Sequence, residues 1–290
     1  MKLISEGSLI YNKEFFDSLK KLALPKVTAG TISQGGNRKS SVKGRGSEFS
    51  DFREYALGDD IRMLDWNAFG RLNKLYIKRF LEEREVTCHV LVDVSASMRV
   101  DSDKMIKALQ LAGFVAYLAL SGGDRVRIVF YEENRAKLVD ECSSASGFVK
   151  MLQNVEKVAA SEIEMKEKCE SLIRTNGMCA LISDFYPGEM IDIKYLKFYK
   201  KQQLFFIQVF GKEEIAPDFS GSFNLKDAES GAAVRVLYSS KVEKEYKKRF
   251  KLFTEKTGET VKKLSGRYFL ADCRDSLKTM INKGTGYIWQ

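Results

Sequence analysis

Apolar residues recur along this chain in two rhythms. His89-Val-Leu-Val-Asp93, Val126–Tyr131, Met178–Ser183 and Leu204–Phe210 are short continuous apolar runs, the pattern of strands covered on both faces. Between them the spacing changes to that of helices. From Asp101 to Leu120 one broad apolar face carries Met105, Ala108, Leu109, Ala112, Val115, Ala116 and Ala119, and Gly122-Gly123-Asp124 breaks the helix. A further helix is predicted to start over Ser144–Leu152, and the stretch 159–174 reads as helical. Towards the C-terminus a hairpin is predicted over Phe223–Leu237 with its turn at Asp227–Gly231, then a charged helix from about Ser240 to Ser265, the strand Tyr268–Ala271 and a last short helix. Near the start, Phe15, Phe16, Leu19 and Leu22 give the stretch Lys13–Leu22 an apolar helical face, stopped by Pro25, while the Gly- and Ser-rich Gln34–Gly46 reads as a loop.

The alternation of strand and helix predicts an α/β fold: an open, mostly parallel sheet with helices on both faces. Three regions are expected. Residues 1–43 hold the N-terminal helix and loop, 44–85 form a segment of different character, and 86–290 form the main domain with a hairpin inserted near 221–237. No internal repeat is visible.

Composition narrows the function. At 290 residues with 44% hydrophobic and 30% charged residues, the chain can bury a large core. The longest apolar stretch, Leu109–Leu120, is short for a bilayer, and Met1-Lys-Leu-Ile-Ser-Glu-Gly opens without a signal-type apolar run, so a cytoplasmic protein with no membrane span is expected. The five cysteines at 88, 142, 169, 179 and 273 form no CxxC pair and are expected as reduced thiols. One histidine is too few for the usual zinc site. Since that residue, His89, lies inside a strand, a Ser-His-Asp triad is excluded as well. The formal net charge of +9 invites a nucleic-acid reading. Yet the lysines of 241–263 are interspersed with Glu243, Glu245, Glu255 and Glu259, the pattern of a solvated helix face, and the remaining basic cluster at Arg38, Lys39, Lys43 and Arg45 lies in the loop. Neither a GxxxxGK[ST] loop nor a GxGxxG loop is present, and Ser95 stands where a haloacid-dehalogenase-type phosphatase needs its second aspartate.

Candidate chemistry gathers at strand ends. Asp93, Ser95 and Ser97 place one carboxylate and two hydroxyls within five residues, hard oxygen donors of the kind that suit Mg²⁺, with Mn²⁺ or Ca²⁺ as substitutes. The competing reading is that these residues cap the helix that follows. Ser183-Asp184 closes another apolar strand in the same way. In an open parallel sheet ligands collect beyond the carboxyl ends of the strands, so Asp184 meets Asp93 if the two strands are neighbours; otherwise it too is a helix cap.

Between Gly44 and Phe80 arginines, carboxylates and aromatics crowd together. Glu48-Phe49, Arg53-Glu54-Tyr55, Gly58-Asp59-Asp60, Arg62, Asp65-Trp66 and Arg71, followed by Phe80 and Glu82-Glu83-Arg84-Glu85, resemble the signature of the bacterial domain-of-unknown-function 58 family. That family carries a von Willebrand factor A-like domain and is typically encoded beside MoxR-type AAA+ ATPases. Asp93-Val-Ser-Ala-Ser97 itself resembles the metal-ion-dependent adhesion site of von Willebrand factor A domains. The resemblance implies a metal set of Asp93, Ser95, Ser97 and Asp184, with Ser161 in Ala159-Ala-Ser-Glu-Ile163 where the family has a Gly-Thr loop. The turn Asp227–Gly231 is similar to the family's Asp-x-Glu-x-Gly element. The signature residues Arg53, Asp59, Asp60, Arg62, Asp65, Trp66 and Arg71 are expected to form an ion-paired structural network tying the segment to the main sheet, the alternative being acid-base work by paired carboxylates.

The function expected from this is a non-enzymatic protein-interaction module with a Mg²⁺ site, partnering a MoxR-type AAA+ ATPase and binding no specific nucleic acid. The rival expectations are a metal-assisted hydrolase and a basic-surface nucleic-acid binder.

Overall fold

The computed structural model describes residues 10–20, 48–56, 59–81, 86–173, 177–186, 203–219 and 221–288. The chain divides into two compact units, one of residues 29–85 and one of residues 1–28 with 86–290.

In the larger unit helix α1 (Lys13–Lys20) comes first; β1 and β2 belong to the smaller unit. A seven-stranded sheet then forms from β3 (Thr87–Asp93), β4 (Arg125–Glu132), β5 (Arg135–Cys142), β6 (Glu167–Lys168), β7 (Gly177–Ser183), β8 (Gln203–Phe210) and β11 (Arg267–Asp272), in the order β11-β8-β7-β3-β4-β5-β6. The strands from β11 to β4 are parallel, and β5 and β6 add antiparallel pairs at one edge. The expected α/β architecture is therefore present. Among the described residues, strands β9 (Gly221–Lys226) and β10 (Ala233–Tyr238) pair only with each other, in the hairpin expected near 221–237.

The helices of this unit are the short α3 (Ala96–Arg99), then α4 (Ser102–Ser121), α5 (Phe148–Ala160), α6 (Cys169–Leu172), α7 (Lys212–Ile215), α8 (Ser240–Lys263) and α9 (Leu277–Ile288). Side chains alternate across a strand, so Leu91, Val129, Leu181 and Phe206 share one face of the sheet, where they meet Leu172 and Val261. The other face is covered by α4, which lies against β3, β4, β7 and β8. Helix α4 is long and apolar enough to cross a membrane by composition, but most of it is buried inside this unit. Its outer side is closed by α1. Tyr11 donates its hydroxyl to the Leu109 carbonyl at 2.9 Å, and Gln110 Nε2 donates to the Ile10 carbonyl at 2.8 Å. A Cβ at Gly113 would stand 2.7 Å from the Tyr11 ring, so this close approach needs glycine. Phe15 and Leu19 are buried there, which accounts for the apolar face read from the sequence.

Two expectations need correction. Strand β5 was not expected: the simple order of strand, helix, strand, helix is interrupted by an antiparallel return after β4, turned at Glu133 with φ 51°. Of its residues only Ala136 is fully buried, so it lacks the continuous apolar run that marks the other strands. The stretch 159–174 is not one helix either. Helix α5 stops at Ala160, and beyond it Glu162, Glu164 and Lys166 are exposed while Ile163 and Met165 are half-buried. That period of two is an extended chain, which leads into β6.

In the smaller unit β1 (Glu48–Glu54) pairs antiparallel with β2 (Tyr76–Leu81), with an irregularity between Phe49 and Asp51. The chain between them holds a 3₁₀ turn at Ile61–Met63 and helix α2 (Trp66–Leu72). Here the aspartates of the signature act locally. Asp65 caps α2 by accepting from the Asn67 and Ala68 N–H groups, and Asp60 accepts from Arg62 N at 3.0 Å. Asp59 Oδ2 binds Arg53 at 2.6 Å and the Ala56 N–H at 2.9 Å. Trp66 stands edge-on to Phe69, and Arg71 lies in the last turn of α2. Each of these contacts joins residues of the segment itself. Leu22, Pro25, the loop Gln34–Gly46 with its basic cluster, Gly58 and Glu82–Glu85 lie outside the described residues.

Candidate functional site

Strands β3 and β7 are parallel neighbours in register, with Val92 opposite Ile182, so both deliver their C-terminal residues to one rim. The chain leaves β3 for β4 on one side and reaches β7 on the other. The strand order therefore reverses between them, which opens the crevice where ligands bind in folds of this class.

Asp93, the last residue of β3, is 1% exposed. Its Oδ1 accepts the Ser95 N–H at 2.9 Å and its Oδ2 accepts the Ser183 hydroxyl at 2.5 Å. Burial pushes its pKa up to about 6 against the lowering effect of these bonds, and the nearby Asp184 charge adds to the rise. Ser95 Oγ and Ser97 Oγ lie 3.2 Å apart, and Ser97 Oγ donates to Asp184 Oδ2 at 2.8 Å. Asp93, Ser95, Ser97 and Asp184 thus form one connected cluster. Immediately after Asp184 the chain turns sharply through Phe185, a non-glycine residue at φ 56°, with its N–H on Ser183 Oγ.

The carboxylate that caps α4 is that of Asp101. It is this carboxylate that accepts from Asp103 N at 2.9 Å and Lys104 N at 3.4 Å at the start of α4, whereas Ser95, which precedes the short α3, makes no side-chain cap. The two serine hydroxyls therefore face the rim. Ser161 does not join them. Its hydroxyl donates to the Val158 carbonyl at 2.9 Å, closing the end of its own helix, so the fifth expected oxygen is used elsewhere.

Several residues at this rim were missed by sequence reasoning. Lys104, 1% exposed, places Nζ 2.7 Å from Asp184 Oδ2 and 2.9 Å from Glu214 Oε1. Burial acts to lower the pKa of this ammonium, but the charges of Asp184 and Glu214 outweigh it and the net shift is upward. A signal was available: Lys104 lies on the same helical stripe as the apolar Ala108 and Leu111. Glu214 holds three groups at once, since its Oε1 also accepts the Tyr186 hydroxyl at 3.2 Å and its Oε2 the Gly211 N–H at 2.6 Å. A side chain at Gly211 would collide with Asp101, at 2.6 Å from the added Cβ. From the hairpin turn Glu229 reaches in, and its Oε1 accepts the Ser97 N–H at 2.7 Å. Ser95, Ser97, Lys104, Tyr186, Glu214 and Glu229 line a cavity of about 1050 Å³.

The donors that converge here are oxygens, and among the described residues no three His, Cys, Asp or Glu side chains gather as a metal cluster. Two carboxylates with two hydroxyls are a set for a hard cation, not for zinc.

Among proteins similar in sequence are the uncharacterized protein Mb1516 of Mycobacterium bovis and the uncharacterized protein Rv1480 of Mycobacterium tuberculosis. Each is 24% identical over 207 residues, which cover 68% of this chain and 65% of the relative's length. Similar solved structures include the conserved hypothetical protein BatB from Bacteroides thetaiotaomicron, at a TM-score of 0.37 and 13% identity over 69% of this chain and 98% of that one. Another is an aerotolerance-related membrane protein from Bacteroides fragilis, at a TM-score of 0.38 and 14% identity over 68% and 98% of the two chains. Residues 51–255, more than half of the chain, match the family described as Protein of unknown function DUF58, and the protein belongs to that family.

Proposed function

We propose that the rim formed by Asp93, Ser95, Ser97 and Asp184 is a Mg²⁺-dependent site for an acidic group of a partner protein, and that the chain is an interaction module and not an enzyme. The observation that carries this reading is the convergence of these four side chains, from the ends of two adjacent strands, into one hydrogen-bonded cluster whose Ser95 and Ser97 line a cavity. Asp93, Ser95 and Ser97 would hold the ion, with Asp184 one hydrogen bond behind. A small divalent cation bound there would supply a coordination position open to a carboxylate oxygen. The likeness of the loop to the adhesion site of von Willebrand factor A domains supports the same assignment. By the family resemblance we assign a MoxR-type AAA+ ATPase as the partner and a role in assembly or remodelling, in the cytoplasm.

The chemistry around the cluster favours binding over turnover. Lys104 is held by two carboxylates and its ammonium is favoured, so it is no base. His89 is wholly buried in β3 and takes no part at the rim.

Calorimetric titration with MgCl₂ tests the metal, and capture of the partner ATPase by the native protein and by Asp93→Ala tests the module. Saturable Mg²⁺ binding and Mg²⁺-dependent capture, both lost in Asp93→Ala, are expected. Capture that ignores both Mg²⁺ and Asp93, or phosphoester hydrolysis that depends on them, would overturn the reading.

A further inference from the structure

The geometry points to Glu229 as a built-in ligand of this rim: its carboxylate holds the place that a partner's acidic side chain takes, and the hairpin turn must move aside for that partner to bind. This rests on the reading of the rim as a carboxylate-accepting site and says how that site is kept closed.

Three observations carry it. First, a carboxylate already lies at the rim. Glu229 Oε1 accepts the Ser97 N–H at 2.7 Å although 132 residues separate them, and Ser97 Oγ belongs to the same cluster. Second, the turn is built without the Glu229 side chain, whose backbone N–H alone takes part, at Asp227. Asp227 Oδ1 accepts both the N–H and the hydroxyl of Ser230, at 2.7 and 2.5 Å, its N–H binds the Ala232 carbonyl at 2.8 Å, and Gly231 takes the left-handed φ of 70°. Such a turn keeps its shape whether or not Glu229 is engaged, so the side chain is free to be offered and withdrawn.

Third, the hairpin is anchored at its base and exposed along its length. Phe219 packs against Phe223 and Tyr238, with ring centroids 5.1 and 5.8 Å apart, and Tyr238 donates to the Pro217 carbonyl at 3.2 Å. Beyond that base the strands pair only with each other, and Leu225 and Val234 are exposed. A two-stranded hairpin of this kind has little stability of its own, so its tip opens at small cost. Glu229 itself is exposed, whereas Glu214 and Asp184 are tied to Lys104. Of these three carboxylates it is therefore Glu229 that exchanges most easily for another.

Backbone amide exchange of the full chain tests this, with sodium acetate as the carboxylate probe and sodium chloride at the same ionic strength as its control. In Glu229→Gln the Ser97 amide is expected to exchange about tenfold faster, while β3 and β7 stay as protected as in the native protein. Acetate restores the Ser97 protection in Glu229→Gln and adds little to the native chain. Unchanged exchange at Ser97 in the variant overturns the proposal, and so does faster exchange that acetate leaves unaltered, because Glu229 is then only a structural pin. The Mg²⁺ reading fails separately: a native chain that binds no Mg²⁺ but protects Ser97 through Glu229 sinks the metal and leaves the internal ligand standing.

Discussion

Lys104 Nζ and Asp184 Oδ2 lie 2.7 Å apart with both side chains almost wholly withdrawn from solvent, at 1% and 0% exposure. A buried pair of this kind gives little net stability, because desolvating both charges offsets their attraction, but removing one partner strands the other. Lys104→Met is therefore expected to destabilise the fold by about 3–5 kcal/mol. In the double variant Lys104→Met with Asp184→Asn much of that loss should return, since Asp184 is then no longer a buried charge without its ammonium and Glu214, at 26% exposure, keeps contact with solvent. Urea unfolding of the two single variants and the double one measures the coupling, and strict additivity would mean that the pair is not the cause.

Mg²⁺ should raise the unfolding temperature. At ten times its dissociation constant a ligand that binds only the folded state adds about 1.4 kcal/mol, which corresponds to roughly 3 °C for a chain of this size. Asp93→Ala and Ser97→Ala should lose the shift. Ser161→Ala should keep it, because that hydroxyl is committed to the end of α5. Thermal scans of the four proteins with and without Mg²⁺ separate the cluster from the residue that resembled part of it.

The raised Asp93 pKa gives the metal response a pH dependence. In the unfolded chain the carboxyl titrates near 3.8 and in the folded one near 6, so the folded state holds the proton more tightly. The stability linked to that proton is fully present below 3.8 and lost as pH rises through 6, at most about 3 kcal/mol for a shift of this size. Without metal the native protein should therefore gain stability relative to Asp93→Asn as the pH falls from 7 to 5. Mg²⁺ competes with the proton, so its stabilisation should be larger at pH 7 than at pH 5. A Mg²⁺ response that grows on acidification would contradict the assignment.

Gly211→Ala tests the joint between the cap of α4 and the site. The added methyl would lie 2.6 Å from Asp101 Oδ2 and 3.3 Å from Glu214 Oε2, two side chains that hold the start of α4 and Lys104. A loss of about 1–3 kcal/mol is expected, as for other overpacked positions, together with weaker Mg²⁺ binding. Equal stability of the two proteins in urea would show that Asp101 moves aside at no cost.

Much of the frame was legible in the sequence because hydrophobic periodicity is a local signal. The runs ending at Asp93 and Ser183 read as strands covered on both faces, and a carboxylate at the end of each pointed to the rim where they emerge. The hairpin over Phe223–Leu237 followed from its turn residues in the same way. Strand β5 escaped because an edge position buries little and so leaves little pattern. Ser161 was misplaced because a hydroxyl in roughly the right stretch says nothing about which way the chain turns; the helix ended one residue before it and took the hydroxyl for itself.

By itself, then, the sequence determined the buried strands and the long helices, that they make an α/β fold, and that Asp93, Ser95, Ser97 and Asp184 stand at strand ends. Only the tertiary structure decided what faces them. Periodicity assigns a residue to a face but not to a neighbour, and the partners of this rim come from distant parts of the chain. Lys104 arrives on the core helix, Glu214 on the turn after β8 and Glu229 on the hairpin. Their charges meet only because parallel pairing sets β7 between β3 and β8 in one register.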